Sequence, residues 1–160
     1  MAAELDTGNG DATVVSSDGC VERNQPASWH LPSSPRAAST ARRRVRRYLC
    51  QRQIVGSVAD ATYLIVSELV TNALEHGIPP ILLHMAHTTS GITVTVHDAG
   101  VNPMSSSHRM ASPDAEHGRG LALVAALADT FAISTSGLGT FAVAQLQLPG
   151  RGEVDIPGLR

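Results

Sequence analysis

Apolar residues recur along this chain with two different periods, and the switches between them mark its elements. In PRAASTARRRVRRYLCQRQ they fall at 38, 41, 45, 48 and 49, a helical spacing with arginine on the opposite side. Ser34 and Pro35 suit the start of that helix. Gly56 interrupts the chain, and Ser57 or Asp60 is placed to cap a second helix running to about His76. Gly77 then sits where a C-cap glycine belongs, with Pro79 and Pro80 just beyond. Strand-like stretches follow in ILLHMAHT and GITVTVHD, joined around Ser90 and Gly91 as a hairpin. VNPMSSSHRMASPDAEH has no period, and HGRGLALVAALAD is a glycine-rich turn entering a helix that is apolar nearly all round. TFAIST and TFAVAQLQLP finish as two strands, with Ser136 to Gly139 between them. Ahead of the first helix, ASWHLP alternates enough for a short edge strand that Pro32 ends.

The order is strand, helix, helix, hairpin, long loop, helix, hairpin. It predicts an α+β domain, with about three helices on one face of a mixed, mainly antiparallel sheet. The 160 residues, 42% of them hydrophobic, suffice for one such domain with a real core. Its expected span is 26–149. Residues 1–25, acidic and rich in Gly and Ser, are expected to be a disordered tail, and 150–160 a C-terminal tail. A loop as long as that before HGRG is expected to be functional or mobile.

Charge is laid out unevenly. Residues 1–25 carry five acids and one Arg, residues 36–52 carry seven Arg and no acid, and the remainder carries nine acids against four Arg. The basic run on the first helix fits a solvated face, an acidic protein partner or a nucleic-acid contact. Aromatics are only 3% of the chain, which disfavours stacking on single-stranded nucleic acid, and no direct nucleic-acid binding is expected. All 12 basic residues are Arg. Without Lys there is neither a P-loop nor a eukaryotic-type kinase strand lysine. Any phosphate charge must be met by a metal, by Arg or by helix N-terminal amides. Cys20 and Cys50 form no zinc spacing, and no apolar run approaches the roughly 18 residues that span a bilayer. The expectation is a soluble cytoplasmic protein with no membrane contact.

SELVTNALEHG, residues 67–77, carries the candidate chemistry. On a helical wheel Glu68, Thr71, Asn72, Glu75 and His76 share one side, and Val66, Leu69, Val70, Ala73 and Leu74 the other. Glu68 and Asn72 stand one turn apart, a carboxylate and an amide oxygen pointing the same way. That pairing suits a hard cation such as Mg²⁺ with a base beside it. Alone, the same pattern also describes a wet face of an ordinary amphipathic helix. Downstream come VHDAG, HGRGL and SGLGTFA, three more Gly-containing turns at strand or helix ends.

Taken in order, ExxxNAxxHG at 68–77, DAG at 98–100, GRGLALV at 118–124 and GLGT at 137–140 resemble the N, G1, G2 and G3 boxes of the GHKL ATP-binding superfamily. SELVTNALEHG followed by GRGLALVAALAD is most similar to the small bacterial anti-sigma regulatory factors that act as serine/threonine kinases. The resemblance covers about residues 27–149 and implies the Bergerat α/β sandwich, with ATP between the helices under a mobile lid. It implies Glu68 as general base, Asn72 as the Mg²⁺ ligand and Asp98 as acceptor of the adenine amino group. Gly100 would let the backbone approach the base closely. Gly118, Arg119, Gly120 and Leu121 would offer amides to the phosphates, and Thr140 would reach the phosphates from the last hairpin. His76 reads as a structural end to the helix rather than an acid or base. The sequence departs from the family in two places. Asn102 replaces the second Gly of DxGxG, and GLGT lacks the Lys that close relatives often carry.

The resemblance therefore implies an ATP·Mg²⁺-dependent protein serine/threonine kinase. It would sequester an RNA polymerase sigma factor, phosphorylate a serine on an antagonist protein, and pair with itself as a homodimer. A non-catalytic ATP-binding switch is the alternative. A histidine-kinase catalytic fragment is disfavoured, because residues 1–56 hold only His30 as a phospho-acceptor.

Overall fold

The computed structural model describes residues 25–100 and 118–148. The expected acidic tail (but for Gln25), the long loop at 101–117 with Asn102, and the C-terminal tail lie outside the described residues. The elements run β1 Ala27–Leu31, α1 Ala37–Gln51, α2 Ser57–His76, β2 Ile81–His87, β3 Gly91–Asp98, α3 Gly118–Leu127, β4 Thr130–Ser136 and β5 Gly139–Gln147. One five-stranded sheet has the order β1-β2-β3-β5-β4, and all four pairings are antiparallel. The mixed character allowed for in the sequence is absent among the described strands.

Strand alternation decides which face is covered. Trp29, Leu83 and Val96 fall in one cross-strand row, and Met85, Val94, Ala144 and Phe131 in another. These residues look toward the helices. α2 packs across the middle of the sheet, α1 lies against α2 and β1, and α3 against α2 and β4. The core joins Val45 and Leu49 of α1, Ile65, Leu69 and Val70 of α2, and Val124 of α3 to the sheet's inner face.

α1 follows its apolar period, burying Ala37, Ala41, Val45, Tyr48 and Leu49. Trp29 meets Tyr48 edge-on with ring centroids 5.9 Å apart, and the Arg52 guanidinium lies 3.5 Å above the Tyr48 ring. Burial pushes the Tyr48 phenol up, against the opposing pull of Arg52. The helix ends do not follow the expected chemistry. Arg36 stands at the α1 N-cap, and Gly56, at φ +73°, stands at that of α2; neither helix has a side-chain cap. Ser57 already lies inside α2 and Asp60 in its first turn. A left-handed elbow after α1 sets this start, so only glycine meets the backbone requirement. Apolar periodicity on α3 is also misleading. Val124 is buried, while Ala122, Leu123, Ala125 and Ala126 are exposed, because only one stripe of a short outer helix can reach the sheet.

The β4–β5 turn gives a first prediction. Gly139 has φ +125°, and a Cβ there would collide with the backbone oxygen of Asp98. Gly139→Ala combines strain with a clash against immobile backbone, so its expected cost is above about 2 kcal/mol. Urea unfolding should show a lower midpoint with an unchanged slope.

Candidate functional site

α2 is polar on one side because its other side is spent on the core. Ile65, Val66, Leu69, Val70 and Ala73 are buried, whereas Glu68, Thr71 and Asn72 are half-buried and Glu75 and His76 exposed. Together with Gly120 and Leu121 from α3, these five polar residues line a pocket of about 300 Å³. The sequence thus places its two principal candidates, Glu68 and Asn72, in one cavity with two of the four G2 residues.

Glycine at 120 is what allows the approach. A Cβ there would run into Glu68 Oε2, so the carboxylate lies directly against the first turn of α3. That turn is the positive end of the helix, a favourable place for an anionic group. Gly118 opens α3, and Arg119 is exposed on the same turn.

Asp98, Gly100 and Thr140 form a second cluster, at the ends of β3 and β5. Asp98 is buried at the last position of β3, directly opposite Thr140. Its Oδ1 accepts from the Ile78 amide at 3.1 Å and from the Gly100 amide at 2.8 Å. The Ala99 amide in turn donates to the Ile78 carbonyl at 2.7 Å. The Thr140 hydroxyl donates to the Gly100 carbonyl at 2.9 Å and lies 3.2 Å from that of Thr135. Thr140 therefore stands with Asp98 and Gly100 at the joined ends of β3 and β5. Pairing register fixes this, since position 140 is locked across from 98.

Gly77 joins the clusters. Its backbone is extended (φ −90°, ψ 178°), so it is not the left-handed C-cap that the sequence suggested. Glycine is needed for proximity, because a Cβ would lie 2.5 Å from both the Ala73 oxygen and Asp98 Cγ. α2 consequently ends against the Asp98 carboxylate, and the pocket and the Asp98 cluster are neighbours along one short segment, residues 76–78.

Sequence reasoning gave Thr71 and Glu75 no role and His76 only that of ending α2, as it does, yet all three also line the pocket. His76 Nε2 lies 3.8 Å from Glu75 Oε2. The signal was available, since the wheel already put them on the side of Glu68. Reading His76 as a helix end hid it.

The histidine kinase-like ATPase domain model matches residues 31–145, which contain every residue of both clusters. No curated protein matches the chain. Among solved structures, the chain is similar to the RsbU and RsbW domains of Rv1364c from Mycobacterium tuberculosis. That match has a TM-score of 0.60 at 24% identity, over 79% of this chain and 34% of the other. The chain thus spans about a third of that structure's length, and the likeness is one of fold. With a family model matched over well more than half of its length, the chain belongs to the histidine kinase-like ATPase domain family.

Proposed function

We propose that the protein is an ATP-binding anti-sigma regulatory factor that phosphorylates a serine of an antagonist protein and sequesters an RNA polymerase sigma factor. The observation that carries this reading is the Glu68 carboxylate held against the first turn of α3, with Asn72 one helical turn away in the same pocket. A base beside an anion-binding helix terminus is the arrangement that a protein without lysine can use for phosphoryl transfer. The name of the similar structure, which includes an RsbW domain, is consistent with this reading.

The donor set suits ATP with Mg²⁺. Asn72 would give the ion one hard oxygen, the rest coming from phosphates and water, and the ion would neutralise charge developing on the phosphates. The α3 amides of Gly118 to Leu121 would bind phosphate oxygens, and Arg119 would add charge. Asp98 would accept the adenine amino group, and Gly100 would admit the base. Thr140, bonded to the Gly100 carbonyl, then belongs to the base end of the nucleotide rather than to its phosphates. Glu68 takes the proton of the attacking serine hydroxyl as its oxygen bonds to the γ-phosphorus. The bond from that phosphorus to the β–γ bridging oxygen breaks, and ADP leaves. His76 and Glu75 lie at the pocket mouth, where the protein substrate would enter.

We further infer a homodimer working in the cytoplasm, where a sigma factor is found. Among the described residues no helix is long and apolar enough to cross a membrane. Incubation with labelled ATP, Mg²⁺ and a co-encoded antagonist should give a phosphoserine on the antagonist. ATP binding without phosphoprotein on any partner would instead make the protein a nucleotide-operated switch.

Gly120→Ala offers a separate check on the pocket. The added methyl displaces only the far end of Glu68, and alanine is the better helix former, so thermal stability should not fall. Displacing the carboxylate by about 1 Å should lower phosphoryl transfer by roughly 10²-fold. Paired melting curves and transfer assays would show that separation.

A further inference from the structure

α1 carries a charge that no described carboxylate answers. On its wheel Arg36, Arg43 and Arg47 lie one above another, directly opposite the buried stripe of Ala41, Val45 and Leu49. All three are exposed, and the row extends for about 16 Å along the helix. Arg46 flanks the row on the side of α2, with its guanidinium 5.8 Å from the centre of the Tyr63 ring. Arg42, also toward α2, donates to the Ser67 hydroxyl at 3.2 Å. Neither contact is to an acid. Among the described residues the sole ion pair is Glu75 with His76, so no described carboxylate pairs with any of the seven arginines at 36–52. Like charges three and four residues apart, as in Arg43, Arg46 and Arg47, repel by a few tenths of a kcal/mol per pair. An anion laid along the row would relieve this.

The chain supplies one. Residues 1–24 hold Glu4, Asp6, Asp11, Asp18 and Glu22 against the single Arg23. The point from which they depart is fixed beside α1. The Gln25 carbonyl accepts from Arg52 Nη2 at 2.6 Å and from the Tyr48 hydroxyl at 3.3 Å, both at the C-terminal end of that helix. Asp11 is 14 positions from Gln25, and a linker of that length has a typical reach of about 20 Å. That spans the helix end to end. Tethering gives the acids a local concentration in the millimolar range, far above that of a separate micromolar polyanionic partner.

We propose that the acidic N-terminal segment docks on the Arg36–Arg43–Arg47 row of α1 and screens that face from other polyanions. This holds whether or not the pocket transfers phosphate. The occupant is the chain's own segment, for its charge is opposite and its anchor lies at the same end of α1 as Arg47.

The test uses the full chain with Glu4→Gln, Asp6→Asn, Asp11→Asn, Asp18→Asn and Glu22→Gln, and a synthetic peptide of residues 1–24 as the probe. Near 0.05 M salt the peptide should bind the neutralised chain about tenfold more tightly than the wild type, whose row is already filled. The difference should vanish near 0.5 M salt, where exposed charges are screened. Adding Arg36→Gln, Arg43→Gln and Arg47→Gln to the neutralised chain should abolish peptide binding while leaving ATP affinity unchanged. Equal peptide affinity for wild-type and neutralised chains would overturn the proposal, as would binding that survives loss of the three arginines. A short DNA duplex binding both chains equally tightly would give the row to nucleic acid and overturn it too.

Discussion

Glu68→Ala is expected to abolish most of the proposed phosphoryl transfer while leaving ATP binding intact. The expected loss is about 10²–10⁴-fold in turnover, the usual contribution of a positioned general base. Nucleotide affinity should change by less than about threefold, because the base acts on the attacking hydroxyl and not on the ground-state nucleotide. Glu75→Ala is the natural control. Glu75 is a carboxylate lining the same pocket, but it lies one turn beyond Asn72, paired with His76 and about half exposed. It has no counterpart of the contact that fixes Glu68 against α3 at Gly120. Its removal should cost far less, within about tenfold, since it contributes only charge at the pocket mouth. Initial rates on the antagonist protein, with nucleotide affinity measured in parallel, separate the two residues. Comparable losses for both would remove Glu68 from its special place.

Asp98 is expected to show two separable effects. In Asp98→Ala the amides of Ile78 and Gly100 lose their shared acceptor, Oδ1. Both amides are only part-buried, so together they should cost about 1–3 kcal/mol when left unpaired. The connection from the end of α2 to the end of β3 would therefore loosen, and the melting temperature should fall by several degrees. Asp98→Asn keeps an oxygen for those two amides but puts a donor where the proposed adenine contact needs an acceptor. Stability should be largely retained, while ATP affinity falls by about 10–100-fold as two donors face each other. Melting curves and nucleotide titrations on both variants read these outcomes. If Asp98→Asn bound ATP as well as wild type, the carboxylate would have only the structural duty of joining Ile78 to Gly100.

Much of this was legible in the sequence because the relevant signals are local. The periods of α1 and α2 and the alternation of β2 and β3 depend on neighbours within a few residues, and those elements appear where expected. Glu68 and Asn72 share a face by helix geometry alone. What escaped depends on contacts distant in the chain. Gly77 looked like a helix cap, but its role is to admit a carboxylate 21 residues further on. Gly120 is required by Glu68, 52 residues earlier, and no local pattern announces it. The pairing of Thr140 with Asp98 comes from the register of β3 with β5, which no local pattern announces. The unpaired state of the α1 arginines likewise emerges only once every described acid has been placed.

The whole reading rests on one cavity beside the start of α3 taking a nucleotide. Calorimetric titration of the full chain with ATP, with and without Mg²⁺, tests that most directly. Saturable one-site binding is expected, strengthened by the ion in wild type and with the ion's contribution lost in Asn72→Ala. Absence of measurable heat and of any competition with a fluorescent ATP analogue, with Mg²⁺ present, would contradict it.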